Sequence, residues 1–329
     1  MDSLEILKNK VLTANASSFS AIAMDIFRYQ FKNNPVYQKY IESLGIKYSS
    51  IQSFDDIPFL PIEFFKTQDI KSGQWKEQAQ FLSSGTTSST RSCHFIEDIE
   101  FYHFLCRQTF NLFFPSLNEE PLYALLPSYQ EQGNSGLISM IDFFMSKKKN
   151  NQSGYFLNDF KSLETILKQQ LSQGKKPILF GVSYALLEFG QHVKSSLSGV
   201  TILETGGMKG RGPEYTREEL HQILKTTFNV DMIHSEYGMT ELMSQAYSLK
   251  DGKFSTPTSM KIVIRDINDP FARLGFGKLG GINVVDLANI HSCSFIETQD
   301  LGKLNNDGTF EVSGRIDNSD IRGCNLLVS

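Results

Sequence analysis

Several features are missing from this 329-residue sequence, and each absence excludes a class of function. Its four cysteines, Cys93, Cys106, Cys293 and Cys324, form no CxxC pair and no disulfide-scaffold spacing, so reduced thiols are expected. No stripe of Lys and Arg interleaves with aromatics, and the net charge is −4, which gives no basic field for nucleic acid. No apolar run approaches the length of about eighteen residues needed to span a membrane. The opening "MDSLEILKNK" carries no uninterrupted apolar core of a signal peptide, so a cytoplasmic protein is expected. The histidines are scattered, with His94 and His103 nine apart, and show no zinc-ligand spacing. Internal repeats and low-complexity linkers are absent too. What remains is a chain that is 40% apolar and 21% charged, long enough for a sizeable core and suited to a small-molecule partner.

The first eighty residues read as a helical segment packed on the core, because "SFSAIAMDIFRYQFKNN" and "NPVYQKYIESLG" place apolar residues at three- and four-residue spacing. Residues 81–244 then alternate strand and helix signals: "PLYALLP", "GLISMIDFFMSK", "KPILFGV", "SYALLEFGQHVKSS", "GVTILETGG", "PEYTREELHQILKTTFN" and "VDMIHSEYG". Such alternation implies a mostly parallel sheet covered by helices. From 245 to 329 the helices stop, and "MKIVIRD", "GGINVVDL", "CSFIETQD" and "GTFEVSGR" predict a C-terminal antiparallel, barrel-like subdomain. The fold class expected is therefore α/β with a β-rich end.

Open α/β sheets bind ligands beyond the carboxyl ends of their strands. Three signals are expected at such ends on one side of one sheet. "SSGTTSST" follows "AQFL" and puts seven hydroxyl residues and one glycine in a row, "ETGGMKGRG" follows "VTIL", and "EYGMTE" follows "DMIHS". Each alone reads equally well as a connecting turn. Together they supply a hydroxyl-lined anion loop, a glycine pair for close approach, and an aromatic beside Thr and Glu, the parts that hold a magnesium nucleotide.

With "TQDLG" and "GRIDNSD" added, the ordered series resembles the motif set of the adenylate-forming superfamily, which activates carboxylates as acyl-AMP. The ending "GRIDNSDIRGCNLLVS" narrows the likeness to LuxE-type acyl-protein synthetases. The resemblance implies ATP and Mg²⁺ as cofactors and a fatty acid or other carboxylic acid as substrate. It also implies an acyl reductase or acyl-carrier protein as a downstream partner. By position, Ser83, Ser84, Gly85, Thr86 and Thr87 match the loop over the β- and γ-phosphates, with Arg91 where the superfamily usually has lysine. Gly206, Gly207 and Met208 match the adenine-pocket segment, and Tyr237 matches the aromatic that stacks on the base. Thr240 matches an α-phosphate ligand, Glu241 the carboxylate that holds Mg²⁺, and Asp300, assisted by Arg315, the acid that takes the ribose hydroxyls. Twelve residues follow Asp317, where the superfamily continues into a mobile domain bearing a catalytic lysine. LuxE-type enzymes lack that domain and pass the acyl group to a cysteine close to their C-terminus, which Cys324 matches. Arg322 and Arg315 would favour its thiolate, and a small buried hydrophobe is the plainer alternative.

Other readings stay open. "GVSYA" places Ser183 between a strand and a helix, as a nucleophile elbow does, with Asp231, Asp286, His234 or His291 as triad candidates for a serine hydrolase or acyltransferase. A catalytically reduced nucleotide-binding module is a third possibility. "GFGKLGG" satisfies GxGxxG, but a strand pattern follows it, so it reads as a turn. The Phe-rich helix from Phe101 to Phe114 suits an acyl tunnel or, more simply, the core.

Overall fold

The computed structural model describes residues 3–84, 90–126, 133–148, 153–206 and 215–316. Three helices come first: α1 (Ser3–Leu12), α2 (Phe19–Asn33) and α3 (Pro35–Ser43). Of the buried residues of α2, Phe19, Ile22, Ala23, Ile26, Phe27 and Gln30 form one helical stripe, with Met24 beside it. Pro35 stands at the first helical position of α3, and the side chain of Asn34 accepts from the Tyr37 amide at 3.0 Å, stopping α2 and starting α3 within one residue.

Next come β1 (Leu60–Pro61), the short α4 (Phe64–Thr67), β2 (Ala79–Leu82), β3 (Cys93–Ile96), α5 (Ile99–Phe113), β4 (Leu122–Leu125) and α6 (Gly136–Ser146). They are followed by β5 (Gly154–Tyr155), α7 (Phe160–Ser172), β6 (Ile178–Val182), α8 (Ser183–His192), β7 (Thr201–Thr205), α9 (Arg217–Phe228) and β8 (Ile233–Tyr237). Strands alone complete the described chain: β9 (Ala246–Ser248), β10 (Phe254–Ser255), β11 (Met260–Arg265), β12 (Gly280–Asp286), β13 (Phe295–Leu304) and β14 (Phe310–Arg315).

The main sheet runs β11-β12-β13-β14-β10-β9-β8-β7-β6-β4-β5, with β1 added parallel to β13. β5, β4, β6, β7 and β8 are parallel. Every residue of β4 and β6 is buried, as strands covered on both faces require. β9 turns antiparallel against β8, and β11 to β14 are antiparallel throughout. The β-rich end is therefore antiparallel as expected, but it continues the same hydrogen-bonded sheet through β9 and β10.

One expectation fails. β2 is not in the main sheet; it pairs antiparallel with β3, from Ala79↔Ile96 to Leu82↔Cys93, in a separate ribbon. "AQFL" buries only Phe81 fully, whereas a strand inside this sheet would need both faces apolar. The hydroxyl stretch thus lies between two antiparallel strands. Phe101, Phe110 and Phe114 are core residues, with Phe110 5.0 Å from both Phe114 and Phe144, so the helix serves packing first. Among the described residues no helix is long and apolar enough to cross a membrane.

Candidate functional site

β8 ends on Tyr237, which is buried against Phe254 and Phe310 at ring distances of 5.9 and 5.3 Å, the two phenylalanines stacking on each other. Its hydroxyl donates to Asp300 Oδ2 at 2.9 Å. Burial raises the phenol far above its usual range, so it remains a neutral donor. Asp300 and Arg315 are directly opposite in the β13/β14 register, with Arg315 Nε 3.6 Å from Asp300 Oδ1. Burial raises the Asp300 carboxyl, and the Tyr237 hydroxyl and Arg315 pull it back down. Three residues far apart in sequence therefore meet at the end of one strand.

The turn after β8 carries Thr240, half-buried, and Glu241, 5% exposed. A side-chain carbon at Gly238 would have to displace the carboxylate tip of Glu236. Burial raises the Glu241 carboxyl, while the Ser92 hydroxyl, which bonds to it, lowers it. Ser92 is also the anchor of the hydroxyl stretch: its amide donates to Ser83 Oγ at 2.9 Å, and its carbonyl accepts from the Ser83 amide at 3.0 Å. The base of that stretch is consequently tied to Glu241. Ser84 and Arg91 are exposed; Gly85, Thr86 and Thr87 lie outside the described residues.

Gly206 follows β7 with φ of +73°, a left-handed conformation that suits glycine, and is exposed with open space around it. Gly207, Met208 and Cys324 lie outside the described residues. Beneath Gly206, Glu204 is fully buried and accepts from Ser183 Oγ at 3.0 Å and Ser235 Oγ at 2.6 Å. Arg217, the first residue of α9, forms an ion pair with it. Burial works to raise the Glu204 carboxyl, but Arg217 and its hydrogen bonds hold it below its usual range. The neighbouring Glu236 forms no ion pair among the described residues; burial and the Glu204 charge push it up to about 7, against the Thr205 hydroxyl that bonds to it and the charge of Arg217.

This network answers the hydrolase alternative. Ser183 is 1% exposed and donates into a carboxylate, and the imidazole in the network, His221, meets Ser235 at 2.9 Å rather than Ser183. Asp231 is exposed, Asp286 binds the amides of Met243 and Ser244, and His291 faces Glu97 at 3.3 Å. His234 lies against the Phe114 ring at 5.3 Å, and among the described residues no imidazole bonds to Ser183, so the elbow has no histidine base.

Sequence reasoning passed over Ser92 and Asn289, and weighed His94 only as a metal ligand and Asp286 only as a triad acid. His94 is 1% exposed, and burial pushes it down to about 4. Its two ring nitrogens face acceptors, Nδ1 the Thr240 carbonyl at 2.8 Å and Nε2 the Asn289 Oδ1 at 3.0 Å, so a neutral ring can donate to one of them at a time. A cavity of about 670 Å³ opens beside β2, lined by Gln80, Phe81, His103, Asn134, Ser139 and Phe143 among others; Tyr237, Glu241 and Asp300 do not line it. Among the described residues no group of three or more His, Cys, Asp and Glu could hold a metal ion by itself.

No protein-family model matches this sequence, and a search of curated proteins finds no match. Solved structures do resemble it. ATP-bound MatB from Rhodopseudomonas palustris gives a TM-score of 0.53 at 15% identity, covering 72% of this chain and 48% of that one. A 2-hydroxyisobutyryl-CoA ligase in complex with 2-HIB-AMP and CoA in the thioesterification state gives 0.68 at 12% identity, covering 92% and 69%. An open conformation of the same ligase gives 0.66 at 12% identity, covering 88% and 72%. This chain thus spans about half the length of MatB. The fold is a mixed α/β fold like the N-terminal domain of adenylate-forming enzymes.

Proposed function

We propose that this protein activates a carboxylic acid with ATP, forming acyl-AMP and pyrophosphate, as a LuxE-type acyl-protein synthetase would. The observation that carries the reading is the meeting of Tyr237, Asp300 and Arg315 at the end of β8, four residues before Glu241. Tyr237, Asp300 and Arg315 were singled out by motif order, and an unrelated fold would have no reason to bring these three into contact. The structures of similar fold hold ATP in one case and an acyl-AMP in the other.

In this reading a substrate carboxylate oxygen attacks the α-phosphorus of ATP and the bond to pyrophosphate breaks. Asp300 accepts from the ribose hydroxyls, and the Tyr237 ring stacks on adenine. Thr240 donates to the α-phosphate. Ser83, Ser84, Gly85, Thr86, Thr87 and Arg91 enclose the outer phosphates, and Gly206, Gly207 and Met208 border the base. Mg²⁺ would neutralise phosphate charge, and Glu241 suits it. A nucleotide-borne Mg²⁺ needs only one or two carboxylates, and Glu241 is buried and, among the described residues, in no ion pair. The Cys324 thiolate then attacks the acyl carbon and AMP leaves, giving a thioester for an acyl reductase or carrier protein. A fatty acid is the substrate class that the LuxE likeness favours.

The test is acid-dependent exchange of labelled pyrophosphate into ATP, followed by a hydroxylamine-sensitive acyl label on the protein. Exchange without protein label would leave adenylation standing and remove the transfer to Cys324. Protein labelling without ATP would favour acyl transfer of another kind.

A further inference from the structure

The main chain around Glu241 is held by buried side chains that belong to none of the nucleotide motifs. On one side, His94 Nδ1 lies 2.8 Å from the Thr240 carbonyl, and Asn289 Nδ2 donates to the Glu241 carbonyl at 2.8 Å. The two clamping side chains touch each other, with His94 Nε2 3.0 Å from Asn289 Oδ1. On the other side, the fully buried Asp286 accepts the amides of Met243 and Ser244 on Oδ2 at 2.8 and 2.9 Å, and the Ser244 hydroxyl on Oδ1 at 2.7 Å. Asp286 closes β12, and Asn289 lies three residues on, in the connection to β13.

That connection is itself anchored. Gln30 of α2 donates to the carbonyls of Asn289 and Ile290 at 2.9 and 3.0 Å and accepts from the Ser294 amide at 3.0 Å. Asn34 donates to the Ser292 carbonyl at 3.0 Å. A continuous chain of hydrogen bonds thus runs from the N-terminal helices, through a buried loop, to the backbone of Thr240 and Glu241. Burying this many polar groups is costly unless each bond is made. A turn with an exposed Gly238 has little of its own to set its geometry.

Resting on the adenylation reading, we infer that His94, Asn289 and Asp286 are positioning residues, which fix the main chain on both sides of Glu241 so that its carboxylate meets a nucleotide-bound cation in one orientation. None of them touches substrate. They act through Glu241 and Thr240, as groups behind a ligand set its direction.

Mn²⁺ serves as the probe, followed by its electron paramagnetic resonance as it binds full-length protein with ATP. Asn289→Leu removes the donor to Glu241 at similar volume. Its Mn²⁺ affinity is expected to fall about 10- to 100-fold, the usual effect of losing a group behind a metal ligand. The Mg²⁺ needed for half-maximal pyrophosphate exchange should rise by the same factor, with the KM for the acid unmoved and excess Mg²⁺ restoring the rate. Ser292→Ala, in the same connection, loses only a 3.1 Å bond to the Ile70 carbonyl and should bind Mn²⁺ normally.

A merely structural role would lower the folded fraction and the apparent kcat and leave Mn²⁺ affinity unchanged, which overturns the inference. Should Asn289→Leu fail to fold, His94 decides: His94→Gln can still donate to the Thr240 carbonyl and should retain Mn²⁺ binding, whereas His94→Phe should weaken it. Equal binding by both overturns the clamp. Wild-type protein that binds neither ATP nor Mn²⁺ with ATP overturns the adenylation reading and the clamp with it. Wild-type binding that the Asn289 and His94 variants match overturns the clamp alone.

Discussion

Replacing Tyr237 by Phe isolates one atom of the proposed nucleotide site. The ring should remain packed against Phe254 and Phe310, but Asp300 loses the hydroxyl that donates to it at 2.9 Å. A hydrogen bond to a charged group contributes about 1.5–3 kcal/mol. The remaining partner, Arg315, is 74% exposed and 3.6 Å away, and so compensates little. Unfolding in urea should therefore show a loss within that range. Asp300, freed from one side, would also be worse oriented for the ribose, so the ATP Kd should rise about tenfold, equivalent to about 1.4 kcal/mol. Tyr237→Ala should lose more in both measurements, because it also removes a buried aromatic, a change that costs about 3–5 kcal/mol in cores. If Tyr237→Phe matches wild type in both urea midpoint and ATP affinity while Tyr237→Ala does not, the hydroxyl has no role. The site would then rest on the ring alone.

Glu241→Gln should lower acid-dependent pyrophosphate exchange by about 10²- to 10³-fold, the scale of one lost charge-stabilising group, while leaving thermal stability of the free protein equal or higher, since burial already opposes the charge. Unchanged exchange removes Glu241 from the cation site. Glu236, raised from 4.5 to about 7 in the fold, binds a proton that the unfolded chain has released between those values. Its contribution is thus full below pH 4.5 and lost as pH rises through 7, on the order of 3 kcal/mol across the window. Urea unfolding at stepped pH should show a slope that Glu236→Gln flattens, and parallel slopes would refute the buried neutral acid. Cys324→Ser should keep pyrophosphate exchange and lose the hydroxylamine-sensitive label, since a serine hydroxyl without a base is a far weaker nucleophile. A persisting thioester label would move the acceptor to another cysteine.

Much of the fold follows from local pattern. Buried strands such as "ILFGV" and amphipathic helices such as "FKSLETILKQQLS" carry their own periodicity, and Asp98 and Asp159 mark helix starts as capping chemistry requires. The motif order was enough to single out Tyr237, Asp300 and Arg315, which the fold brings together. Their bonding was not legible: Tyr237 and Asp300 are 63 residues apart, and nothing local says that the phenol will spend its hydrogen on that carboxylate. For the same reason Tyr237→Phe would pass as silent on sequence grounds. "AQFL" looked like a sheet strand because four residues cannot distinguish a ribbon from a sheet edge. "DLANIHSCS" is the clearest omission. As sequence it is a polar turn, and only the tertiary fold turns Asp286 and Asn289 inward to hold residues more than forty positions away.

The most direct test of the central claim is the exchange of radiolabelled pyrophosphate into ATP by the purified full-length chain, with Mg²⁺, across a panel of carboxylic acids from short to fatty. Adenylation at the Tyr237, Asp300 and Glu241 site predicts exchange that requires both an acid and Mg²⁺ and collapses in Glu241→Gln. Folded protein that binds ATP yet exchanges no pyrophosphate with any acid, or that exchanges equally well after Glu241→Gln, would contradict it.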